Sequence, residues 1–163
     1  MTTQLVTTFN SPLEAGIRTL GVLVPAHPRA FDIQRLVAFD YLVVHSGDIG
    51  GPESLHPKLP QRSAELLVRR NIIERGLHLM IHRGLVERLV GAKGICYRAG
   101  ESADTFLCAL TAPYISALRS RGEWVVSTFA EIDEDTLRNQ MGRLFGRWIE
   151  EFQATQRSLA LDT

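Results

Sequence analysis

Two histidines and an aspartate, His45, Asp48 and His56, lie close together around a Gly/Pro-rich stretch. Imidazole nitrogens and carboxylate oxygens are groups that bind zinc, or that pair as a general base and the residue orienting it. Their spacing matches no established ligand pattern, and no cysteine accompanies them. Hydrogen bonding to the backbone of a loop that cannot bond itself accounts for the same three side chains. Ser46-Gly47-Asp48 lacks the strand–turn–helix setting of a nucleophile elbow. Gly47, Gly50 and Gly51 are not followed by the Gly-Lys-Ser/Thr of a phosphate loop. The sequence therefore assigns no catalytic residue, no metal ligand and no cofactor. A hydrolase built on His45, Asp48 and His56 is the weakest of three functional readings. The stretch is read instead as a fixed, partner-binding loop with His45, Asp48, Gly50, Gly51 and His56 as candidate residues.

A second constellation is basic: Arg62, Arg69, Arg70, Arg75, Arg83, Arg88, Lys93 and Arg98. At 100° per residue the arginines scatter around a helix rather than gathering on one face. Scattered cations suit phosphate contact and not the reading of base edges. Aromatic residues that could stack on bases are missing there, apart from Tyr97. Arg69, Arg70, Arg88, Lys93 and Arg98 are the candidate nucleic-acid contacts, for non-specific DNA if any. A solvated or acid-paired face is the favoured reading of the same residues. Near the C-terminus, Trp148 and Phe152 end an apolar stripe. Core packing is their default role, and a protein-docking helix is the alternative, because interfaces favour aromatic residues.

These residues need elements to position them. Ser11-Pro12-Leu13-Glu14 starts a helix: Ser11 caps, and Pro12 suits the first helical position. Leu13, Ile17, Leu20 and Val24 then share one face, and Pro25 and Pro28 end the helix. Asp32 caps a second helix to about Ser46, with Ile33, Leu36, Val37 and Val44 inward. Glu14, Asp32 and Asp40 read as caps or exposed helix residues. Residues 47–60, with three Gly and three Pro, read as a long structureless loop. A helix from about Arg62 to Arg83 follows, with Leu66, Ile73, Leu77 and Met80 on one face and a bend possible at Gly76. Leu85–Val90 and Gly94–Arg98 read as a short hairpin. Helix followed at once by a basic hairpin is the pattern of a winged helix. Further helices cover Asp104–Leu110, a stretch opened by Pro113, and one capped by Asp133 that carries Leu137, Met141, Leu144, Trp148 and Phe152.

The expected architecture is therefore mostly α: a single domain with a winged-helix-like core over about 9–100 and C-terminal helices over about 101–156. At 163 residues and 45% hydrophobic composition the chain can bury a continuous core. No apolar run approaches the roughly 18 residues of a membrane span, and the N-terminus lacks a signal peptide, so the cytoplasm is expected. Cys96 and Cys108 are read as small buried hydrophobes. The net charge is zero, but its placement is uneven. Residues 1–57 balance to −2, residues 58–98 to +6 and residues 99–163 to −4. Such asymmetry suits one surface for an anion and another for a basic partner, unless the segments neutralise each other on folding.

Several runs resemble a known family. They are Phe9-Asn10-Ser11-Pro12-Leu13-Glu14-Ala15-Gly16, the segment Leu36 to Tyr41, His45-Ser46-Gly47-Asp48-Ile49-Gly50-Gly51-Pro52 and Ser54-Leu55-His56-Pro57. Arg62 to Arg70 and Arg83-Gly84-Leu85-Val86 extend the likeness, which covers about residues 9–150. Together they resemble the middle component of ABC-three-component systems, which include Lamassu-type anti-phage defence. The resemblance implies a non-enzymatic subunit that acts beside a coiled-coil SMC/RecN-like ATPase and an effector, often a nuclease. It would help hold the effector inactive until the ATPase meets aberrant DNA. A winged-helix transcriptional regulator that binds DNA alone is the competing reading.

Overall fold

The structure, a computed structural model, describes residues 11–56 and 62–145. Helix α1 is Pro12–Ala26. Ser11 caps it, its Oγ accepting from the Glu14 amide at 3.2 Å. Helix α2 is Ile33–Val44, capped by Asp32, whose carboxylate accepts from the Arg35 amide at 2.8 Å. Every residue from Leu36 to Val44 is buried. A helix that is apolar nearly all round belongs at the centre of a bundle, and α2 sits there.

A 3-10 turn, Ser46–Ile49, follows α2 directly. The loop expected to lack structure thus begins with a hydrogen-bonded turn. Helix α3 is Arg62–His82, unbroken at Gly76. That glycine lets α1 approach: a Cβ there would stand 2.6 Å from the Gly16 amide nitrogen. Gly84, at φ +71°, ends α3. The Leu85 amide bonds back to the Met80 carbonyl at 2.9 Å and the Gly84 amide to Ile81 at 3.0 Å, a Schellman closure.

Strands β1 (Val86–Gly91) and β2 (Gly94–Ala99) form an antiparallel hairpin in unbroken register, from Val86 opposite Ala99 to Gly91 opposite Gly94. Phe31, between α1 and α2, adds a one-residue bridge to Tyr97. The order helix, bridge, helix, helix, hairpin is that of a winged helix. The described residues are mostly helical with this winged-helix-like core, its small hairpin and further helices.

Those helices are α4 (Ala103–Ala109), α5 (Pro113–Phe129) and α6 (Glu134–Phe145). Helix α5 packs closely on α1, where a Cβ at Gly122 would lie 2.0 Å from the Gly21 carbonyl oxygen. Leu118, Val125 and Phe129 of α5, and Leu137 and Met141 of α6, face the core as their spacing predicts. Arg35 binds the end of α5 through the carbonyls of Ala130 at 3.2 Å and Ile132 at 2.7 Å. Two expectations fail. Cys96 is half-buried and Cys108 exposed, not core residues. Asp40 is not an exposed helix residue but lies wholly inside.

Candidate functional site

Helix α2 has no outward face at Asp40, so its carboxylate needs partners from neighbouring helices. Arg18 of α1 donates from Nε at 2.8 Å, and Arg69 of α3 donates from Nη1 to the other carboxylate oxygen. All three side chains are buried. Burial alone would raise the Asp40 pKa. Attraction to Arg18 and Arg69, with both hydrogen bonds, more than offsets it and holds the carboxyl below the ordinary range. For Arg18, burial opposes charge, but the Asp40 carboxylate wins and its pKa is raised.

This triad reaches the loop after α2 by two routes. Arg69 lies over the ring of Tyr41, 5.5 Å from its centroid. The Tyr41 hydroxyl donates to Asp48 at 3.2 Å. On the other side the Arg18 charge acts on Tyr114 at the start of α5. The Tyr114 hydroxyl lies 2.9 Å from Nε2 of His56. The loop is therefore tied near its beginning and at its end to one buried ion network.

His56 is held neutral: burial, followed by the nearby Arg18 charge, lowers its pKa to about 4. Burial likewise raises the Tyr114 pKa. His45 is fully buried, its ring 4.5 Å from that of Tyr41 and 6.4 Å from that of His56.

Between these ties the loop is clasped along its length. Ser46 Oγ donates to the Pro52 carbonyl at 2.8 Å, and the Gly47 amide donates to Ser54 Oγ at 2.9 Å. The Leu55 and His56 amides both bond to the Val44 carbonyl at 3.0 Å. Arg121 of α5 grips the Glu53 carbonyl through two nitrogens at 3.1 and 2.9 Å. Gly51 lies against Trp124, where a Cβ would meet the indole at 2.4 Å. Gly47, Gly50 and Glu53 remain exposed, and Asp48 and Ile49 are half-exposed.

His45, Asp48, Gly50, Gly51 and His56 thus belong to one structure, in which His45 and His56 are turned inward. Among the described residues no group of three or more His, Cys, Asp and Glu side chains is placed to hold a metal ion. Arg18, Asp40, Tyr41, Tyr114, Arg121 and Trp124 complete the site and were not singled out from the sequence. Asp40 had a signal: it interrupts the apolar run Leu36–Val44.

The basic residues do not form one surface. Arg69 is committed to Asp40 and turned into the core, so it is not placed for a phosphate contact. Arg70 pairs with Glu74 one turn on, and Arg98 pairs with Glu87 across the hairpin at 2.6 Å. Arg88 and Lys93 are exposed on the wing. Trp148 and Phe152 lie outside the described residues. Among the described residues no helix is long and apolar enough to cross a membrane.

No curated protein and no solved structure matches the chain. One family does, over residues 8–151, which contain the loop and all of its supports. The chain belongs to the family of ABC-three component (ABC-3C) system Middle Component 2.

Proposed function

We propose that the chain is a non-catalytic assembly and regulatory subunit of an SMC-like ABC ATPase anti-phage defence complex, in which it bridges the coiled-coil ATPase and an effector nuclease. The observation that carries this reading is the loop from His45 to His56. Its supports are buried and charged, yet its outer residues Asp48, Ile49, Gly50 and Glu53 face solvent or its edge. A loop fixed in one conformation loses little entropy when it is bound, which suits a docking surface. Asp48 of the loop accepts from Tyr41, and Asp40 beneath it is locked between two guanidiniums. Family membership supports action beside other components of a three-component system.

An infection assay tests the proposal. In a host carrying the complete system, Glu53→Arg leaves the fold intact, because the Arg121 contact is to the Glu53 backbone. Loss of protection with unchanged thermal stability is the expected result. Full protection by both Glu53→Arg and Asp48→Ala would remove the loop from the mechanism.

A further inference from the structure

Among the described residues, one edge of the hairpin is left uncovered. In an antiparallel pair, opposite residues alternate between exchanging both backbone hydrogen bonds and exchanging none. Tyr97 of β2 exchanges both of its bonds with Phe31, at 2.9 and 2.8 Å, on the side away from β1. Arg88, opposite Tyr97, therefore turns its own N–H and C=O outward, and the alternation turns those of Val90 outward too. Among the described residues no strand pairs along this edge of β1.

Natural sheets protect such edges with proline, bulges, very short strands or charged side chains, and of these β1 carries only the charges of Glu87 and Arg88. Strand β1 has six residues, no proline and a regular register. Its side chains invite contact as well. Val90 is 77% exposed and Ile95, directly opposite, 38%. Arg88 stands two residues from Val90, hence on the same face, and Lys93 is exposed in the turn beyond. Arg98, by contrast, is neutralised by Glu87 on the opposite face.

We propose that the outer edge of β1 is a docking site for an extended acidic segment of another protein, which pairs with the outward backbone groups of Arg88 and Val90. Strand addition of this kind takes affinity from backbone bonds and specificity from alternate side chains. An apolar residue of the incoming strand lies opposite Val90, and a carboxylate two positions away lies opposite Arg88, with Lys93 adding attraction. A second copy of this chain fits poorly. Antiparallel self-pairing centred on Arg88 opposes two guanidiniums, and centring it on Glu87 opposes two carboxylates. Centring it on Leu89 leaves Arg88 facing Val90 of the other copy.

The test measures amide hydrogen exchange of the full chain with a synthetic peptide, Thr-Val-Thr-Asp-Thr-Val-Thr, which presents the same pattern in either direction. Saturating peptide should slow exchange at Arg88 and Val90 by about tenfold or more and leave Glu87 and Leu89 unchanged. A peptide with Lys for Asp should bind about three- to tenfold more weakly, and Arg88→Glu should invert that preference. Val90→Pro removes an outward donor that the hairpin does not use, so the helical circular dichroism should persist while peptide binding is lost. Unchanged exchange with both peptides overturns the proposal, as does undiminished binding by Val90→Pro. Protection that rises with the chain's own concentration would assign the edge to a second copy. Protection by duplex DNA in place of peptide would assign it to nucleic acid.

Discussion

The Tyr114 hydroxyl lies 2.9 Å from Nε2 of His56, joining the last described residue of the loop to the first turn of α5. The Arg18 charge acts on the same Tyr114 hydroxyl. A neutral His56 accepts the bond from that hydroxyl, and a protonated one would oppose it. The loop's conformation is thus coupled to the charge state of His56, which burial, and after it the Arg18 charge, keeps neutral.

Removing the shared anion should be costly. Asp40→Asn leaves Arg18 and Arg69 buried beside each other without their carboxylate, and breaking a buried ion pair this way costs about 3–5 kcal/mol. Denaturant unfolding measures it. Apolar replacement of all three, Arg18→Met with Asp40→Leu and Arg69→Met, should recover most of the loss. If Asp40→Asn costs less than about 1 kcal/mol, the triad does not hold these helices together.

Stability should fall as the solution is acidified, in two windows. His56 titrates near 6.5 when unfolded and near 4 when folded. The unfolded chain therefore binds the extra proton between those values, and folding stability declines as pH drops from about 6.5 to about 4. His56→Gln should flatten that window. Asp40, with its folded pKa depressed below 3.8, contributes stability that is lost only at still lower pH. Unfolding midpoints at pH 7, 5 and 4, and again below 3.8, separate the two, and an unchanged slope between pH 7 and 4 in His56→Gln would contradict the account.

Gly51→Ala places a methyl group where the Trp124 indole now lies. Overpacking of this kind costs about 1–3 kcal/mol or forces the loop outward. Trp124 fluorescence should change, and Trp124→Leu combined with Gly51→Ala should restore stability relative to the single glycine variant. Additive effects of the two substitutions would show that the contact is unimportant.

Much of the fold is legible in the sequence because its signals are local. Ser11-Pro12 and Asp32 start their helices as caps should, and Pro113 opens α5. The hairpin announces itself through Gly84 and the Gly91–Gly94 turn. The bridge at Phe31 is one residue long and carries no periodic signal, so only the structure reveals it. The site was half legible. Glycines, prolines and histidines marked the loop, but its supports come from α1, α3 and α5, far away in sequence. Arg69 shows the difficulty plainly. Its neighbours Arg70 and Arg75 are polar-facing helix residues, and nothing local distinguishes the one arginine that a carboxylate on another helix draws inward. The apolar run around Asp40 was the available clue, since a charge surrounded on all sides by core residues must be buried with a partner.

Affinity purification from the native host tests the central claim most directly. Tagged wild-type chain should bring down a coiled-coil ATPase and a second subunit in fixed ratio, and Glu53→Arg should lose them while eluting as a folded protein. Recovery of the wild-type chain alone, or with promoter DNA as its sole companion, would contradict the assembly role and favour a free winged-helix regulator.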